Sequence, residues 1–321
     1  MYSRREPQTR TPVMYRQATT GGADKPPPPA PLLSLPATPS PCALDIPGSV
    51  CSTPAAIGVI KSYIALEGGA VATDAAVVEL AKARLGCGTE ACVLRSDKVG
   101  DAAKTPVSKK ALQQSLRRTK QEGPANSLDL LNNVNIDGVL SRLAGVHLDF
   151  YHMNFQMIDF EGEKDGAGGW RVVKGITVDP SDLGVVDVPR DVEGAGYKTF
   201  GVVVNTDRRW RGGIHWFALF CDFRSSPYTV EYFNSSGLKP VHQIDAWMTK
   251  TVNALTGAGF KATPVVLSGV QHQVETDSEC GLYSLYYIWR RLNGFASSEF
   301  QAVRIPDALM TEFRRHCFAE K

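Results

Sequence analysis

The stretch that most constrains this chain runs from residue 199 to residue 292, where the spacing of apolar residues passes from a strand period to a helical one and back. Phe-Gly-Val-Val-Val-Asn (200–205) is a β-branched run and predicts a strand. Residues 214–223 are apolar on both faces, which predicts a central strand. Residues 229–234 return after a turn at Arg-Ser-Ser-Pro (224–227), so 214–234 reads as a hairpin. Ile244, Trp247, Met248, Val252 and Leu255 then fall three and four apart, an amphipathic crossover helix closed by Gly257 and Gly259. Residues 261–269 predict a third strand. A polar loop over 271–279 leads into residues 280–292, where Leu285, Ile288, Trp289 and Leu292 share a helical face. Strands joined by a hairpin, with helices packed on them, make an α+β domain.

The ends of these elements carry four residue types in the order His215, Asn234, Gln273, Cys280. Together they are a base, a group to orient it, an amide donor for an oxyanion and a thiol nucleophile, the components of a cysteine protease. Counting outward from the turn puts His215 within about two residues of the position opposite Asn234, and directly opposed side chains have Cβ atoms about 5 Å apart. The Asn carbonyl can then accept from one imidazole N–H, which sets the tautomer and turns the other nitrogen to the thiol. Cys280 falls at or beside the first turn of the last helix. Unpaired N–H groups and the helix dipole favour a thiolate there, and a neighbouring imidazolium lowers the thiol pKa further. The N–H of Cys280 points where an oxyanion forms, and Gly281 lets a substrate carbonyl approach because it has no Cβ. Gln271 and Gln273 both lie within range as the amide donor, and Gln273 is the favoured one. The bland alternative for Cys280 is an inert buried thiol, which the junction of polar loop and helix argues against.

The rest of the chain reads as support. Residues 1–57 are rich in Pro, Ala, Thr and Ser, a composition that buries too little to offset chain entropy; a disordered arm, dispensable for catalysis, is expected. Apolar spacing over 58–93 predicts two short helices. Cys87 and Cys92 lack a second pair or a His cluster at ligand spacing, so two reduced thiols are expected there, with no metal and no cofactor. Residues 97–123 are basic, with Lys104, Lys109, Lys110, Arg117, Arg118 and Lys120. These charges are a weak case for nucleic acid; without interleaved aromatics, a solvated helix face is favoured. A boundary near Pro124 divides a helical region with a basic linker (58–124) from a catalytic domain (125–321). After it, Ile136, Val139, Leu140 and Leu143 share a helical face with Asn135 as N-cap, and residues 150–160 form an apolar-aromatic segment, either core or the wall of a cleft.

The 321 residues balance Lys and Arg against Asp and Glu to a net charge of +2, which gives no reason to expect nucleic acid as an obligatory partner. Seven scattered cysteines do not resemble a secreted disulfide framework, and a reducing compartment is expected. No apolar run is of membrane length and the start does not resemble a signal peptide, so an intracellular protein with no membrane partner is expected.

With those residues in place, the chain resembles a known superfamily. Gly-Gly-Ile-His-Trp (212–216), the amide at the end of the next strand, and Asp-Ser-Glu-Cys-Gly (277–281) at a helix start look like the adenain and ubiquitin-like-protein (SUMO) proteases. The wording around His215, Val-Glu-Tyr-Phe-Asn-Ser-Ser-Gly (230–237) and Cys280 is closer to the polyprotein-processing cysteine proteases of large cytoplasmic DNA viruses, of the African swine fever virus and iridovirus type. The resemblance covers residues 128–292. It implies a central mixed β-sheet flanked by helices, with the nucleophile at the N-terminus of a buried helix. It also implies His215 as base, Asn234 as its orienter, Cys280 as nucleophile, Gln273 as oxyanion donor and Trp216 as the roof of a narrow substrate channel. The implied activity is cleavage after Gly-Gly in structural polyproteins during virion maturation, in host cytoplasm and virion. Removal of SUMO or ubiquitin from host proteins and a silent module that binds ubiquitin-like or capsid proteins are the alternatives. A DNA-activated enzyme is a further reading, tied to the basic stretch.

Overall fold

The computed structural model describes residues 31–66, 73–160, 163–164, 170–171, 197–275 and 278–319. Its first body is helical: α1 (Pro54–Leu66), α2 (Asp74–Leu85), α3 (Glu90–Arg95), α4 (Asp97–Ala102) and α5 (Pro106–Arg118). They bury a core of their own that includes Ile57, Ile60, Ile64, Val77, Val93 and Leu112. Three of these helices start on threonine. The side chains of Thr73, Thr89 and Thr105 accept the otherwise orphaned N–H groups of Ala76, Cys92 and Ser108. At α5 the Ser108 side chain answers with a bond to the Thr105 N–H, a full capping box with Pro106 just inside.

The second body begins with β1 (Gln121–Glu122), α6 (Asn133–Val146), β2 (Phe150–His152), β3 (Gln156–Met157) and the short antiparallel pair β4 (Glu163–Lys164) and β5 (Trp170–Arg171). It continues through β6 (Thr199–Asn205), β7 (Trp216–Asp222), β8 (Tyr228–Phe233), α7 (His242–Gly257), β9 (Ala262–Leu267), α8 (Cys280–Leu292), α9 (Glu299–Ala302), α10 (Asp307–Cys317) and β10 (Phe318–Ala319). The main sheet runs β2-β6-β7-β8-β9, with β3 also on β6. Strands β6, β7 and β8 are antiparallel, whereas β2 and β3 on β6, and β9 on β8, are parallel, so the sheet is mixed. The β1 strand pairs with β10, tying the start of this body to the end of the chain.

Strand β7 sits at the centre, and its alternation sorts the two cores. Ala218 and Phe220 face the cluster built around α8, whereas Phe217, Leu219 and Cys221 face the cluster that holds Trp247 and Met248 of α7. All thirteen residues of α8 are buried. A helix so enclosed is a reference frame for whatever its first residue carries.

The expected disordered arm is corrected from residue 31 onward; residues 1–30 lie outside the described residues. Leu32, in a 3-10 turn at Pro31–Leu33, is fully buried in the core of α8. Tyr286 donates to the Leu32 carbonyl and Arg290 to the carbonyls of Leu32 and Ser34. Further along, Asp45 accepts from Trp289 Nε1 at 2.9 Å and Asn293 Nδ2 at 3.0 Å, and contacts His147 Nε2 at 2.8 Å. Burial pushes the Asp45 carboxyl up, but these hydrogen bonds outweigh it and leave the group below its ordinary value. Composition forbids a core made by such a segment alone, yet it does not forbid docking on a core made elsewhere.

Other expectations are also revised. Cys87 and Cys92 are not two free thiols but a disulfide, as are Cys42 and Cys51; their Cα atoms lie 5.5 and 5.2 Å apart, within bridging range. No group of three or more His, Cys, Asp or Glu suited to a metal occurs among the described residues. The N-cap of α6 is Asn132, and Asn135 is its partner in a capping box. Within the basic stretch Lys120 is turned inward and donates to the Arg315 carbonyl at 2.7 Å. Among the described residues, no helix is long and apolar enough to cross a membrane.

Candidate active site

The hairpin β7–β8 delivers its two polar residues side by side. Ala218 opposes Phe233, so Asn234 lies just past the last pair, and His215 lies just ahead of β7 on the other strand. His215 Nε2 meets Asn234 Oδ1 at 2.7 Å. The Asn234 amide has one orientation only: its Oδ1 also accepts from the Ser236 backbone N–H at 3.0 Å and Ser236 Oγ at 2.8 Å, while its Nδ2 donates to Tyr232 OH at 2.9 Å. A backbone N–H can only donate, so the atom facing His215 is an acceptor and Nε2 of His215 carries the proton. Nδ1 is then the nitrogen that can take a proton in the neutral ring.

Behind His215 the loop from β6 is also built. Asn205 Oδ1 accepts the N–H groups of Asp207 and Ile214, and the N–H of Thr206 donates to the His215 carbonyl at 2.8 Å. Gly213 stands at φ +87°, with Asn205 Nδ2 only 2.8 Å from where a Cβ would be, so a side chain is excluded on both counts.

Cys280 is the first residue of α8 and is 1% exposed. Burial pushes its thiol pKa up, against the lowering expected from sequence; the backbone N–H groups of Trp216, Gly281 and Cys280 itself oppose that push. The Trp216 N–H belongs to the residue that follows His215, so the sulfur and the imidazole share one neighbourhood. The helix is clamped at both ends. At its start, Glu279 pairs with Arg314 at 2.8 Å with both side chains buried, and Tyr283 OH donates to Asp307 at 2.8 Å. At its end, Arg291 holds Glu231 at 2.7 Å and Asp222 at 3.0 Å, and Arg224 donates to the carbonyls of Arg291 and Leu292.

Gln273 lies on the loop between β9 and α8, half-buried. Its Oε1 accepts from Ser235 Oγ at 3.0 Å, which makes Nε2 the donor end of the amide. Gln271, by contrast, is exposed and donates to the Gln273 carbonyl at 3.0 Å. The loop is pinned by Asp307, which accepts the N–H groups of Val274 and Glu275. His272 is pinned as well: its Nδ1 accepts the Ile305 N–H at 3.1 Å, and burial together with Arg304 lowers its pKa to about 4.

Trp216 is 8% exposed, donates from Nε1 to the Leu131 carbonyl at 3.1 Å and meets Phe155 edge to face. With Phe155, Met157, Ile214, Gly212 and Gly213 it lines a groove of about 490 Å³, so the 150–160 segment is a cleft wall as well as core. Gly281 serves packing. A Cβ there would meet Leu131 Cβ and Ile136 Cδ1 at 3.2 Å, so its bare side faces protein and not the substrate approach expected from sequence. Ser235, Ser236, Tyr232 and Asp307 escaped sequence reasoning because serine, tyrosine and aspartate occur at many positions and only the fold brings these four to the site.

No family model matches the chain. Among known proteins, it is 34% identical over 244 residues to a cysteine protease of African swine fever virus (a tick isolate from Malawi), covering 74% of this chain and 85% of the relative. It is 35% identical over 245 residues to the SUMO-1 cysteine protease of a pig isolate of that virus from Kenya, with the same coverage. The crystal structure of the African swine fever virus pS273R protease matches with a TM-score of 0.62 at 30% identity, over 88% of this chain and 98% of that one. This chain thus belongs to the pS273R family of viral cysteine proteases.

Proposed function

We propose that the chain is an endopeptidase that cuts viral structural polyproteins after Gly-Gly during virion maturation, in host cytoplasm and virion, with Cys280, His215 and Asn234 as triad and Gln273 as oxyanion donor. The observation that carries it is the His215–Asn234 contact at 2.7 Å beside a buried thiol at a helix start. Gly-Gly preference rests on the resemblance; the groove lined by Trp216, the residue after His215, is where such a substrate would lie.

In this reading Cys280 gives its proton to Nδ1 of His215, because Asn234 holds the proton of Nε2. The buried thiol needs that transfer, since burial disfavours a lone thiolate. The sulfur attacks the carbonyl carbon of the second glycine. Gln273 Nε2 and the Cys280 N–H receive the negative oxygen. The imidazolium protonates the leaving amine, the C–N bond breaks and a thioester remains. Water, deprotonated by His215, then attacks the thioester and releases the new carboxylate.

The test is cleavage of a Gly-Gly-Xaa peptide by the full chain beside Cys280→Ala, with a ubiquitin-like fusion in parallel. Peptide cleavage that disappears in the variant is expected. Cleavage of the fusion alone would replace polyprotein processing by removal of ubiquitin-like proteins, a reading that the names of three relatives favour.

A further inference from the structure

The residue after the base-orienting asparagine is fully enclosed: Ser235 is 1% exposed. It holds His272 and Gln273 by three hydrogen bonds, two of them to Gln273. Its carbonyl accepts the backbone N–H groups of His272 at 2.8 Å and of Gln273 at 3.1 Å, and its hydroxyl donates to Gln273 Oε1 at 3.0 Å. The bond from the Gln273 N–H places its backbone, and the hydroxyl ties down the Oε1 end of its amide, which leaves Nε2 as the donor end. Without the hydroxyl, the carbonyl end of the amide loses its donor and the side chain is free to leave this orientation.

We infer that Ser235 is a positioning residue of the reaction, which acts through Gln273 by keeping the amide N–H₂ turned to the developing oxyanion. The inference rests on the reading of Gln273 as oxyanion donor. Consecutive residues thus serve the two halves of the chemistry. Asn234 orients the base, and Ser235 orients the amide. Both are fixed by the turn that follows, where the Gly237 N–H donates to the Asn234 carbonyl and the Gly269 N–H to the Gly237 carbonyl, each within 2.9 Å.

A merely structural serine would lower every property of the site together, whereas a positioning one lowers only those that pass through Gln273. The experiment is a double-mutant cycle on the full chain with Ser235→Ala, Gln273→Ala and the double variant. It is read as kcat, KM and the rate of Cys280 alkylation by iodoacetamide followed by peptide mass. Gln273→Ala is expected to lose about two to three decades in kcat. Ser235→Ala should lose about tenfold in kcat at nearly unchanged KM, the size expected for one hydrogen bond. Its alkylation rate and pH profile should match the parent, because alkylation forms no oxyanion. The double variant should equal Gln273→Ala alone.

Independent addition of the two losses, or an alkylation rate that falls with kcat, would overturn the role of Ser235. An unchanged kcat in Gln273→Ala would instead overturn the reading beneath it. Rates are expressed per alkylatable Cys280, so that partial unfolding is counted out. Ser235→Thr, which keeps the hydroxyl, should recover most of the loss; failure to do so beside a normal alkylation rate also overturns the assignment.

Discussion

The two bodies of this protein are held together by different means. The helical body of α1 to α5 is held by an apolar core and threonine caps, and its ion pairs, such as Lys61–Asp74, lie on the surface. The sheet body buries charge at its centre. Glu231, fully enclosed, accepts from Tyr287, Thr229 and Arg291, and Arg291 reaches on to Asp222. Buried charge is a poor source of stability and a good source of direction, because each bond must be met in one geometry. The polar interior lies where a helix must present one thiol at a fixed place.

That contrast can be broken by mutation. Glu231→Ala leaves Arg291 buried without its main partner and should destabilise the chain by about 3–5 kcal/mol in urea unfolding. A loss below about 1 kcal/mol would show that the network contributes no more than a surface pair. Acid should come next. The His272 pKa falls from 6.5 to about 4 on folding, so the unfolded chain binds the proton more readily. Stability is therefore full above about pH 6.5 and is lost as pH falls towards 4, by at most about 3 kcal/mol. His272→Asn, which can still accept the Ile305 N–H, should flatten that slope, and an unchanged slope would place the acid sensitivity elsewhere. The smallest effect belongs to the helical body. Thr105→Ala should cost about 1 kcal/mol through the lost cap of α5, with peptide cleavage intact.

Legibility in the sequence followed the same division. Strands β6 to β9, the two helices α7 and α8 and the pairing of His215 with Asn234 were readable, because period and turn chemistry are local and the hairpin converts sequence distance into a register. Residues whose partners come from far along the chain were not. Leu32 looks like part of a proline-rich tail until α8 supplies the surface that covers it. Gly281 looks like a substrate contact until Ile136 of α6 and Leu131 just before that helix arrive against it. Ser235 has no signature at all, since its use depends on a loop thirty-eight residues later. The thiol pKa was misread for the same reason: a helix start favours the thiolate, but the depth of burial is a property of the whole core.

The docking of Leu32 against Tyr286 spans 254 positions of sequence. On a ribosome adding about 5–20 residues per second, the first partner waits on the order of ten to fifty seconds for the second. The nucleophile comes near the end of that interval, and Asp307 and Arg314, which clamp the start of its helix, come later still. Synthesis itself therefore acts as a timer: the growing chain holds no assembled thiol site until the residues that clamp α8 have followed the nucleophile.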